Sequence, residues 1–180
     1  MKKNLLLFAV LLVFIACNKP VKGPNGITYK SAAAYNDYIV GRQSTLIKNV
    51  LKFGEAAKVN LDSAEALLDK FIPETERVIT ELKGMPLWKG DSSLRNAAVQ
   101  SFTFYKRVFE EDYRRILAIR KDENAGENEI IELNAIIEKI SKEEEKFDKT
   151  FRNAQKDFAQ KNKMKLIKND LQKKIDEAKE

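Results

Sequence analysis

Histidine does not occur anywhere in the 180 residues, and cysteine occurs once, at Cys17. The first absence removes the Glu-x-x-His ligation of carboxylate di-iron bundles, a histidine-held haem, the usual zinc hydrolase sites and Ser-His-Asp catalysis. The second rules out an internal disulfide, so stability has to come from packing. Glycine is sparse too: seven residues, scattered, with no G-x-x-x-x-G-K phosphate loop. A calcium loop opening at Asp122 would need an acid at its twelfth position, where Leu133 stands. No apolar run is long enough to span a membrane, which takes about 20 residues; the longest, Leu5 to Ala16, has twelve. The chain is therefore expected to be no enzyme and to need no metal or cofactor.

What is present begins with Met1 to Cys17. Lys2 and Lys3 precede the apolar run, and the one cysteine follows it directly. A positive start, an apolar stretch of about 7–15 residues and small residues at the cleavage point describe a secretory signal peptide. Phe14-Ile-Ala-Cys17 resembles the lipobox of bacterial lipoproteins, with Phe14 where leucine or valine is usual. That resemblance implies a diacylglyceryl thioether on the Cys17 sulfur, cleavage after Ala16 and acylation of the new amino group by a palmitate-type chain. Two or more acyl chains hold a protein stably to a membrane where one does not. Residues 1–16 then form the signal peptide, and residues 17–30, with two of the four prolines, form the lipid-attachment cysteine and a flexible linker. Thirteen linker residues reach at most about 43 Å. Asn18 is not acidic, so by likeness to lipoprotein sorting rules the expected destination in the bacterial cell envelope is the outer membrane.

The formal charge of +6 is carried by the chain ends. Residues 161–180 hold seven lysines against four acids, and residues 18–30 three lysines against none, whereas residues 31–160 hold 21 basic and 23 acidic side chains. A nucleic-acid groove on the body would need clustered positive charge, so no nucleic-acid partner is expected. Basic ends fit a place near anionic lipid heads or in water.

From Ser31 the apolar residues recur at three- and four-residue steps, which reads as helix. Ser31 is the N-cap of a first helix reaching about Lys58. Asn60 and the Asp62-Ser-Ala-Glu65 box separate it from a second, in which Pro73 should produce a kink. Gly84 to Gly90 is a loop whose Trp88 plugs the end of the core more readily than it marks a binding surface. A third helix, capped by Asp91 or Ser92, runs to Lys121, with Glu110–Arg114 and Glu111–Arg115 spaced for ion pairs. The fourth carries the stripe Ile130, Leu133, Ile137, Ile140, Glu144, Phe147, Phe151, Ala154 and Phe158. No glycine or proline occurs from Glu127 to Glu180, so this helix is expected to continue as a basic amphipathic extension over 161–180; the competing reading turns it near Asn162. The expected fold is all-α: an antiparallel up-down four-helix bundle over residues 31–160 with a long C-terminal helix.

Arg42 and Glu144 occupy stripe positions on helices one and four. In an up-down bundle they lie about 8 Å apart along the axis at ~1.5 Å per residue, so one reading is a buried polar or ligand-binding cluster with Asp112. The competing reading is a register-fixing bridge, or charges that reach the surface. The anchor, the linker and the run Ala33-Ala-Tyr-Asn-Asp-Tyr-Ile-Val-Gly-Arg-Gln43 resemble a family of predicted bacterial helical surface lipoproteins to which no activity is attached. The function expected is binding, with an envelope protein or a small apolar ligand as partner. A holdase-like envelope chaperone is the alternative, and loss of aggregation suppression on deleting residues 161–180 would favour it.

Overall fold

The computed structural model describes residues 20–167, and these are mostly helical. Four helical rods follow a two-stranded antiparallel hairpin: β1 (Val21–Lys22), β2 (Thr28–Tyr29), α1 (Ala32–Val59), α2 (Leu61–Lys83), α3 (Ser93–Arg107) continued through a π-helical segment (Val108–Asp112) into α4 (Tyr113–Lys121), and α5 (Glu127–Lys161).

The expected boundary residues act locally as capping chemistry requires. Ser31 Oγ accepts from Ala34 N at 3.1 Å and opens α1. A single residue, Asn60, then separates α1 from α2, its Oδ1 accepting from Ser63 N at 2.7 Å. Asp62 and Glu65, expected to form a capping box, instead bind Lys121 Nζ at 2.6 Å each and tie the start of α2 to the end of α4. Pro73 lies inside α2, which continues through it to Lys83.

Three elements depart from the sequence reading. Residues 21–29 are no flexible linker. Asn25 N donates to Gly84 O at 3.3 Å, Tyr29 is fully buried, and its ring packs edge-on against Tyr35 at 5.1 Å and Tyr38 at 5.6 Å. At Gly23 a Cβ would stand 2.5 Å from Pro86 Cδ, so the hairpin docks closely on the α2–α3 loop. Gly23→Ala should force the two apart at about 1–3 kcal/mol. Proteolysis within residues 20–30 should accelerate while helicity stays unchanged; an unaltered cleavage rate would count against the docking.

The third rod is the second departure. In the π-helical turn the chain advances by five residues per hydrogen bond, so side chains four apart no longer align across it. Glu110 pairs with Lys106 at 2.7 Å rather than with Arg114. Arg114 reaches Asp69 on α2 at 2.6 Å, and Arg115 reaches Glu132 on α5 at 2.5 Å. Both expected pairs are thereby exchanged for contacts between helices.

The third lies in α5. Its stripe alternates steps of three and four, an average of 3.5 residues, while a straight helix turns once in 3.6; the line drifts by about 20° per heptad and some 80° from Phe158 back to Ile130. Ile140, Phe151 and Phe158 are buried, but Ile130 and Ile137 are 56% and 49% exposed, and Ile136 takes the inward place. The helix then stops at Lys161 and does not run on. Met164 N donates to Ala159 O at 2.8 Å and Lys163 N to Gln160 O at 3.2 Å, a Schellman turn with Lys163 at φ 53°. The turn near Asn162, rather than the extension, is what the described residues adopt; residues 168–180 lie outside them. A side chain in left-handed geometry costs about 1–2 kcal/mol. Lys163→Gly should therefore raise the melting temperature by about 2–8 °C, and a fall would contradict the motif.

Packing joins the rods in sequence. Tyr35 Oη donates to Pro86 O at 2.9 Å and stacks on Phe158 at 5.6 Å, so the start of α1 meets the α2–α3 loop and the end of α5. At the other end Arg120 Nη1 donates to Ala57 O at 2.9 Å. Trp88 is buried, as its loop position suggested, with Nε1 donating to Asn162 Oδ1 at 2.9 Å. Its N–H and C=O pair with those of Asp91 across Lys89 and Gly90, both at positive φ, the geometry of a tight two-residue turn.

Candidate functional site

Between α3 and α5 lies an open groove of about 370 Å³. Val99, Gln100, Thr103, Phe104 and Arg107 come from one face of α3, and Glu143 and Phe147 from successive turns of α5. The floor is apolar, with Phe104 and Phe147 stacked at 4.8 Å. Thr103 turns its hydroxyl inward along its own helix, donating to Val99 O at 2.8 Å, so it presents its methyl group without an unpaired donor.

One end of the groove is closed by charge. Arg107 lies over the Phe104 ring with Cζ 5.6 Å from the centroid, donates through Nη1 to Asp112 Oδ2 at 2.7 Å and binds Glu143 through Nη2. Lys139 Nζ completes the set, 3.0 Å from Asp112 Oδ1. Two cations face two carboxylates, so the rim is neutral and its hydrogen bonds are already made. Asp112, 5% exposed, owes this place to the π-helical turn, which carries it inward beneath Arg107.

A second polar contact lies further along the same interface. Tyr105 Oη donates to Glu144 Oε1 at 2.5 Å, and burial together with the Glu144 charge pushes the Tyr105 hydroxyl far above its usual range. Burial likewise raises Tyr113, beside Glu144 and Asp112, to about 12 and Tyr35 to about 12. Tyrosine ionises near 10 in an unfolded chain. Between about pH 10 and 12 the folded chain keeps protons that the unfolded chain releases, so this contribution is complete below 10 and is lost as pH rises through 12. A joint titration of tyrosinate absorbance and helical ellipticity should show helix loss inside that window, and intact helicity beyond it would refute the assignment. Asp91 shifts in the opposite sense. Hydrogen bonds from Lys161 and Ser93 lower it to about 2, so its contribution is complete above about pH 4 and is lost as pH falls through 2.

The residues singled out in the sequence do not share one site. Cys17 lies outside the described residues. Arg42 turns toward α2, with Nη2 2.9 Å from Glu81 Oε2 and 3.2 Å from Tyr38 Oη, beside a small notch of about 50 Å³. Asp112 binds Arg107 and Lys139, and Glu144, exposed, accepts from Tyr105. None of the three bonds to another. The drift of the α5 stripe carries Glu144 off the inward line, and Arg42 is drawn to the helix that α1 packs against. Arg107, Lys139 and Glu143 were not foreseen; the four-residue spacing of Lys139 and Glu143 was the one local signal that they share a face.

No family model, no curated protein and no solved structure matches this chain. Among the described residues no group of three or more histidine, cysteine or acidic side chains is placed to hold a metal ion, and no helix is long and apolar enough to cross a membrane. Within the groove no nucleophile lies beside a free base, since Glu143 is held by Arg107. Its lining is an apolar floor beside a rim of paired charges.

Proposed function

We propose that this chain is a lipid-anchored, non-enzymatic binding protein of the bacterial cell envelope, an antiparallel up-down four-helix bundle held through Cys17 to the outer membrane. The observation that carries the reading is the order of Met1 to Cys17: two lysines, a twelve-residue apolar run, then the only cysteine of the chain. The bundle topology is supported by contacts of α1 start with α2 end, through Tyr38 and Glu81 at 2.9 Å, and of α2 start with α4 end, through Asp62 and Lys121. Growth with radiolabelled palmitate tests the anchor. Label should enter the wild-type protein and be absent from Cys17→Ala; label retained in that variant would defeat the assignment.

The binding role is favoured by the α3–α5 groove, whose size suits a small apolar molecule. The fluorescent probe anilinonaphthalene sulfonate should bind and be displaced by neutral apolar competitors. Thr103→Trp, which fills the groove from an exposed position, should abolish binding while leaving helicity unchanged. Equal binding by both proteins would place the probe elsewhere. A protein partner is the second reading, favoured by Ile130, Ile131 and Ile137, three large apolar side chains exposed on the first half of α5.

A further inference from the structure

The two ends of the body differ sharply in charge. At one end the hairpin, the α2–α3 loop and the chain after α5 converge, joined by Asn25 N to Gly84 O at 3.3 Å, Trp88 to Asn162 at 2.9 Å and Lys161 to Asp91 at 2.8 Å. Residues 20–31, 83–92 and 161–167, which compose this end, contain seven lysines and a single acid, Asp91. That acid is consumed by Lys161. The other six, Lys22, Lys30, Lys83, Lys89, Lys163 and Lys165, are exposed and form no ion pair among the described residues. At the opposite end residues 55–65 and 118–130 hold seven carboxylates against three cations.

The basic end also exposes apolar side chains. Leu87 projects from the α2–α3 loop at 44% exposure, and Leu166 and Ile167 follow the Schellman turn at 36% and 85%. Lysines ringing a few exposed aliphatic groups are the composition of a surface that settles at a lipid interface: the aliphatic groups enter the headgroup boundary and the cations meet anionic lipid.

The docked hairpin fixes the distance. Were residues 18–30 a free linker, the body could stand about 43 Å away. With the docked hairpin starting at Val21, only four residue steps separate it from Cys17, a reach of at most about 14 Å. This is within two Debye lengths, each about 8 Å at physiological salt, so the lysines feel the membrane charge.

We propose that this basic end, bearing Lys22, Lys30, Lys89, Lys163 and Lys165 around Leu87 and Ile167, lies flat against an anionic lipid surface, so that the long axis of the helices stands away from the membrane and the acidic end points outward. The tether distance rests on the lipid-anchored reading above. The clustering of charge and exposed aliphatic groups does not.

The test uses the full chain purified from a bacterium that expresses it, with the mass of the Cys17 peptide measured first. Protein carrying the lipid is reconstituted into vesicles of phosphatidylcholine alone or of equal parts phosphatidylcholine and phosphatidylglycerol, and lysines are acetylated at low salt. Lys89, Lys163 and Lys165 should react several-fold more slowly on the anionic vesicles, the protection should fade at high salt, and Lys142 on the flank of α5 should react equally on both. The triple variant Lys89→Glu, Lys163→Glu, Lys165→Glu should lose the protection that Lys22 shows. Equal rates on both vesicles, or protection of Lys142 to the same degree, would overturn the proposal. If the Cys17 peptide carries no lipid, the anchor reading fails separately, and the same protein should still sediment with anionic but not neutral vesicles. Each basic residue near such a surface is worth about fivefold in binding, so the triple variant should bind about a hundredfold more weakly. Sedimentation with neither vesicle would overturn the proposal in this arm.

Discussion

Replacing Phe109 by alanine should cost about 3–5 kcal/mol, the range for removing a fully buried aromatic ring. Phe109 is 0% exposed and sits in the π-helical segment, with ring neighbours Phe71 at 6.2 Å, Tyr105 at 6.3 Å and Tyr113 at 5.9 Å. Those neighbours come from α2, α3 and α4, so no single helix can shift to fill the void. At 2–4 °C per kcal/mol for a chain of this size, the melting temperature should fall by about 10 °C. Phe109→Leu, which keeps most of the volume, should lose less than half as much. Thermal unfolding followed by ellipticity decides between the outcomes. A loss below about 1 kcal/mol for the alanine variant would mean that the wide turn relaxes to ordinary helix and that Phe109 is not held by all three elements.

Trp88→Ala should cost a similar amount by a different route. Trp88, 2% exposed, packs against Tyr35 at 5.6 Å and holds Asn162 through its indole N–H. It thereby joins the α2–α3 loop, the start of α1 and the turn that ends α5. Loss of the ring should destabilise by about 3–5 kcal/mol and speed amide exchange in residues 20–30 and 158–164 more than in the α1–α2 turn. Trp88→Phe separates packing from the hydrogen bond: it should cost about 1 kcal/mol for the unpaired Asn162 oxygen. Because Trp88 is the only tryptophan, the wild-type protein reports on this junction directly. Its emission should be blue-shifted when folded and move to the red as the junction opens. A red-shifted folded spectrum would contradict the burial.

Local chemistry was legible wherever one residue decides it. Ser31 caps α1 from its own position, Asn60 interrupts the chain between two helices, and Trp88 in a loop beside a helical body finds the core. The candidate groove was not legible in the same way. Its floor needs Phe104 and Phe147 brought together across two helices, and its rim depends on a π-helical turn that no glycine or proline announces. The cluster expected from Arg42, Asp112 and Glu144 did not form, because the α5 stripe drifts by about 20° per heptad and leaves Glu144 exposed, while α1 packs against α2 and Arg42 pairs with Glu81.

By itself the sequence determined helical class, most helix boundaries and the unequal charge of the chain ends, since periodicity, capping residues and composition act over a few positions. Only the tertiary structure decided that residues 20–31 and 161–167 meet at one pole, that the hairpin docks instead of trailing, and that α5 turns at Asn162. Those outcomes depend on contacts across many residues, Gly23 with Pro86 and Trp88 with Asn162, where the free energy of packing outweighs the local preference of each segment.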